Sequence, residues 1–120
     1  MDQSPPLDEE ALIRLAKLGG EQFAADMINM FFEYADGKLK AATQAAKIGN
    51  IDAVEKAIHP LKTSAGHVGA LNMRDLSQRI EQLAREKDTT EIPELVVALV
   101  EAYSHAKPLL EAHLQRFQTK

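Results

Sequence analysis

His59 and Lys62 stand three residues apart in the stretch IDAVEKAIHPLKTSAGHVGAL, residues 51–71. A histidine that is exposed and held in one tautomer is a nucleophile at neutral pH, and a cation one helical turn away reaches whatever becomes attached to it. The other histidines offer less. His67 lies eight residues beyond His59, and His105 and His113 are likewise eight apart. Neither pair has the i, i+4 spacing by which one helix chelates a metal, and there is no cysteine to assist. No glycine-rich phosphate loop, Ser-His-Asp ordering or pair of catalytic carboxylates stands out.

The direction of His59 depends on whether one helix runs through Pro60. Ile51, Val54, Ile58, Leu61, Ala65 and Val68 form an apolar seam spaced 3, 4, 3, 4 and 3, which passes Pro60 without losing phase. The spacing predicts a continuous helix bent at Pro60, where one backbone hydrogen bond is missing at a cost of about 3 kcal/mol if unrelieved. The alternative is a helix that starts at Pro60. In the continuous helix His59 and Pro60 each project roughly 130° from the centre of the apolar face, on opposite sides. His59 then faces solvent, with Lys62 at its flank and the small or short side chains of Thr63, Gly66 and Ala70 nearby. Those three leave a low surface that another protein can approach.

Further helices must position this one. Asp8 is placed to cap a first helix that carries Leu12, Ile13 and Leu15 and stops at Gly19-Gly20. A second begins near Glu21 and ends at Gly49-Asn50, with a possible kink or break at Asp36-Gly37. Asn72 or a neighbour caps a fourth bearing Met73, Leu76, Ile80 and Leu83. Thr89 or Thr90 caps the last, which has Pro93 in its first turn and Pro108 inside and reaches about Phe117. Residues 1–6 read as a flexible tail and 7–118 as one domain. No strand pattern or repeat is visible, and short loops between amphipathic helices imply an all-α, antiparallel up-down four-helix bundle with an additional short N-terminal helix.

In an antiparallel hairpin of the third and fourth helices turning near Ala70-Leu71, residues whose numbers sum to about 141 lie level. His59 then faces Glu81 or Gln82, with Gln78 one turn nearer the loop. A carboxylate that accepts the Nδ1 proton leaves Nε2 bare and outward.

Composition narrows the classes. With 120 residues there is one core's worth of chain, and 45% hydrophobic and 27% charged residues are ordinary for a globular domain. A net charge of −4 argues against nucleic acid, and 5% aromatics argues against base stacking. No apolar run approaches a membrane span, and the acidic, proline-containing N-terminus is not a signal peptide. The absence of cysteine is compatible with a reducing cytoplasm.

The segment HPLKTSAGHVGA, His59 to Ala70, resembles the signature of histidine-containing phosphotransfer (HPt) domains: His, any residue, an apolar residue, Lys, Gly, two small residues and, four positions on, Gly. The match holds at His59, Leu61, Lys62, Ser64, Gly69 and Ala70, and the likeness extends from about Leu7 to Phe117. The resemblance implies that His59 is the phosphorylated histidine and Lys62 the cation near the phosphoryl group. It implies that Glu81 bonds the imidazole from the next helix, where the family commonly has Gln or, in chemotaxis kinases, Glu. Thr63, Gly66 and Ala70, with Glu55 and Lys56 a turn earlier, become the partner-binding surface. Partners would be receiver domains of response regulators and hybrid sensor histidine kinases, which bring the aspartate and Mg²⁺; no cofactor is expected on this chain. Thr63 departs from the usual Gly, and Pro60 is atypical.

The expected function is that of a histidine phosphocarrier between receiver aspartates, a cytoplasmic monomer with no ATP-binding segment and therefore no kinase. A non-catalytic helical adaptor that binds receivers or kinases is the alternative. A metal- or ligand-binding bundle is a third reading, disfavoured by the histidine spacing.

Overall fold

A computed structural model describes residues 5–118, and among these the regular elements are five helices. Residues 1–4 of the expected tail lie outside the described residues. Pro5 and Pro6 lie within them, and the Pro5 carbonyl accepts from the Asn72 backbone N–H at 3.1 Å.

Helix α1 (Glu9–Gly19) starts where the Asp8 side chain accepts from the Glu10 N–H at 3.1 Å, with Glu9 and Glu10 in its first turn. Helix α2 (Glu21–Lys47) runs unbroken through Asp36-Gly37. The suspected interruption is absent because a helical glycine costs only about 1 kcal/mol relative to alanine, less than the flanking contacts return. Leu39 and Ala42 are buried just beyond it, and Asp36 accepts a hydrogen bond from the Tyr103 hydroxyl at 2.9 Å. Helix α3 (Ile51–His67) is capped by Asn50, whose side chain accepts from the Ala53 N–H. It continues through Pro60, as the apolar seam requires.

Helix α4 (Leu71–Arg85) follows, and α5 (Ile92–Gln118) closes the chain with Pro93 at its second position and Pro108 within. Two expected caps fall differently. Ala70 occupies the position before α4 and makes no side-chain cap bond, while Asn72 is already helical. At α5, Glu91 rather than Thr89 or Thr90 directly precedes the helix, and its carbonyl receives the Leu95 N–H at 3.0 Å.

Helices α2 to α5 form an antiparallel ring in which α3 packs on α2 and α4, and α5 closes on α2 and α4; α1 lies against α2. Ile28, Ile58, Leu61, Ile80, Leu99 and Leu110 fill the centre and are fully buried. The α3–α4 turn is set by Gly69. Its φ of +80° is a left-handed conformation, and a Cβ there would stand 2.5 Å from the Asp8 carbonyl oxygen. The Gly69 carbonyl accepts from the Asp8 N–H at 2.7 Å, which ties the start of α1 to this turn.

Candidate functional site

Because Ile58 and Leu61 are held in the core, the helical period turns His59 outward, and its side chain is 66% exposed. Ile80, equally buried, sets α4 so that Glu81 comes level with His59. The His59 Nδ1–H donates to Glu81 Oε2. A carboxylate can only accept, so this bond puts the proton of a neutral imidazole on Nδ1 and leaves the Nε2 lone pair free.

Glu81 is more than a flanking carboxylate: its side chain is 3% exposed. The Lys62 ammonium donates to Oε1 at 2.6 Å, and the Arg85 guanidinium, one turn on along α4, reaches the same oxygen at 3.4 Å. Burial by itself would raise the carboxyl's pKa. Hydrogen bonds from Lys62 and His59, with their charges, outweigh it and hold Glu81 below the ordinary carboxylate value. The result is a buried anion that fixes an exposed imidazole from beneath.

The structure brings together His59, Lys62 and Glu81, with Glu55 and Lys56 lining a cleft beside them along with Asp52 and Arg85. Thr63 is exposed on the same side of α3. Gly66 is half-buried, because the aliphatic stem of Arg74 passes over it; an added Cβ would sit 3.5 Å from Arg74 Cδ. Ala70 does not belong to the surface. It is fully buried, because the left-handed turn at Gly69 directs the chain inward before α4 begins. Arg85 was not singled out in the sequence. Its i, i+4 spacing from Glu81 is the one signal, and it is shared by ordinary surface ion pairs.

The remaining histidines are elsewhere. His67 and His105 are exposed, while His113 is buried and donates from Nε2 to Glu9 at 2.8 Å, with Arg116 beside the ring. No group of three or more metal-ligating side chains converges among the described residues. No helix among them is long and apolar enough to cross a membrane.

Comparison with known proteins bears on the family and the fold. The family model described as Hpt domain matches residues 26–119. The crystal structure of histidine-containing phosphotransfer protein B (HptB) from Pseudomonas aeruginosa PAO1 superposes with a TM-score of 0.87 at 20% sequence identity, covering 95% of this chain and 98% of that one. A search of curated proteins finds no match. The five-helix bundle is the fold of that phosphotransfer protein. The chain belongs to the Hpt domain family, and its role is histidine phosphotransfer in two-component phosphorelays.

Proposed function

We propose that His59 is the phosphorylated residue and that the chain is a phosphocarrier without kinase activity of its own. The observation that carries this reading is the Nδ1 bond to the buried Glu81 carboxylate, which leaves Nε2 as a free, outward nucleophile. The Nε2 lone pair attacks phosphorus in a partner's aspartyl phosphate. The N–P bond forms as the P–O bond to the aspartyl carboxylate breaks, and that carboxylate departs with the electron pair. The imidazole becomes cationic with its single N–H proton still on Nδ1, from which it donates a hydrogen bond to the Glu81 carboxylate. Transfer onward to another aspartate is the reverse of these events. Phosphoryl transfer depends mainly on positioning and charge stabilisation, so a site this sparse is sufficient. Lys62 is the cation in reach of the transferred group.

The partners in this reading are receiver domains of response regulators and of hybrid sensor histidine kinases, which contribute the aspartate and its Mg²⁺. They dock over Thr63, Gly66, Glu55 and Lys56. Residues 7–118 act as one domain, working as a monomer in the cytoplasm without nucleic acid or membrane.

Incubation with a phosphorylated receiver domain tests the proposal. Wild type should take up acid-labile, alkali-stable label and His59→Gln none. Equal uptake by both, or no uptake by wild type from any receiver of its source organism, overturns it; binding without uptake would leave the adaptor reading in place.

A further inference from the structure

Glu81 Oε1 is shared by two cations that are not equivalent. Lys62 lies at 2.6 Å with its side chain 27% exposed, and Arg85 at 3.4 Å with its side chain 62% exposed. If Lys62 is the cation that meets the phosphoryl group, as proposed above, it is engaged elsewhere when the partner arrives. Turning to the phosphate loosens its bond to Glu81. That would leave a buried carboxylate short of a partner, which is unfavourable enough to draw Lys62 back. Arg85 removes the conflict. It sits four residues after Glu81 on one face of α4, the favourable order for an acid–base pair, and lines the cleft beside His59. At 3.4 Å its contact is at the long end of a hydrogen bond, and a guanidinium on a mostly exposed stem has room to close.

We propose that Arg85 is a positioning residue that takes over Glu81 Oε1 when Lys62 turns to the incoming phosphoryl group. Arg85 does not touch the phosphoryl group. It keeps Glu81 anionic and aimed at Nδ1 throughout transfer, so that the imidazole stays fixed while Lys62 moves. The charged groups that share this environment are Asp52, Glu55, Lys56 and Lys62 from α3 and Glu81 from α4. Asp52 is exposed and Glu55 half-buried in the same cleft, and the i, i+4 register directs Arg85 to Glu81.

Two readouts test this, one of them independent of phosphotransfer. The first follows the Glu81 side-chain carboxyl by ¹³C NMR in a pH titration. Arg85→Gln alone and Lys62→Gln alone should each raise the midpoint only slightly, since the remaining cation closes on Oε1, but the double variant by clearly more than the two single shifts together. Additive shifts would overturn the exchange. The second measures transfer from a phosphorylated receiver domain. Arg85→Gln should slow it about 3- to 10-fold, with partial rescue by Arg85→Lys, and should have no effect in a Glu81→Gln background. An equal loss in that background would mean that Arg85 acts on the phosphoryl group directly, and no loss in wild type would mean that it does not act at all; either overturns the proposal. Were wild type to carry no phosphoryl group, the functional reading would fall while the titration still decided what Arg85 does for Glu81.

Discussion

Glu81→Leu separates the fold from the chemistry. The substitution removes the acceptor of the His59, Lys62 and Arg85 bonds from a site that is almost fully buried. Two good charge-assisted hydrogen bonds, at about 1.5–3 kcal/mol each, are lost. Against that, the chain no longer has to desolvate a carboxylate, a penalty of several kcal/mol, and it gains roughly 1.5–3 kcal/mol from burying a leucine side chain. The stranded donors are not trapped, because His59 and Lys62 both reach water. The terms nearly cancel, so denaturant unfolding should place the variant within about 2 kcal/mol of wild type, at an unchanged m-value. Transfer should fall about 10²-fold, equivalent to roughly 2.7 kcal/mol of transition-state stabilisation, because the imidazole loses both its tautomer preference and its aim. Rapid-quench transfer from a phosphorylated receiver measures this. A variant that transfers within threefold of wild type would refute the orienting role. A loss of much more than about 3 kcal/mol of stability would show that Glu81 is chiefly structural.

Lys62→Ala should slow transfer about tenfold and leave the helical circular dichroism intact; collapse of helicity would mark the lysine as structural instead. Gly69→Ala should destabilise by about 2 kcal/mol or more, since alanine must adopt φ +80° and its Cβ meets the Asp8 carbonyl, and amide exchange should show α1 loosened first. The pH dependence follows from Glu81, whose pKa is lower in the folded chain than in the unfolded one. Its ionised form therefore contributes stability that is present in full above the ordinary carboxylate range and lost as pH falls through the folded value. Glu81→Gln should flatten the acid limb of a stability–pH curve; an unchanged limb would contradict the buried-anion account.

Much of this site could be read from the sequence because it depends on two simple periods. The 3-4 seam through Ile58 and Leu61 fixes the direction of His59, and a hairpin turning at Ala70-Leu71 fixes which residue of α4 lies level with it. Local spacing cannot report what covers a residue from a third element. Ala70 reads as exposed until Gly69 takes a left-handed turn and the start of α1 settles on it. Gly66 reads as open until Arg74 folds over it. Arg85 is hidden for another reason: an i, i+4 partner of a glutamate is usually a solvated pair, and only the burial of Glu81 makes its position matter. Asp36-Gly37 failed to break α2 because Tyr103, 67 residues away in sequence, bonds Asp36 across the bundle.

The central claim is that Nε2 of His59 carries the phosphoryl group while Glu81 holds Nδ1. Heteronuclear NMR on the ¹⁵N-histidine-labelled, phosphorylated chain tests it directly through the ³¹P–¹⁵N coupling. The account predicts a single phosphorylated imidazole, His59, coupled through Nε2 with Nδ1 protonated. Phosphorus on Nδ1, or on His67, His105 or His113, would contradict it.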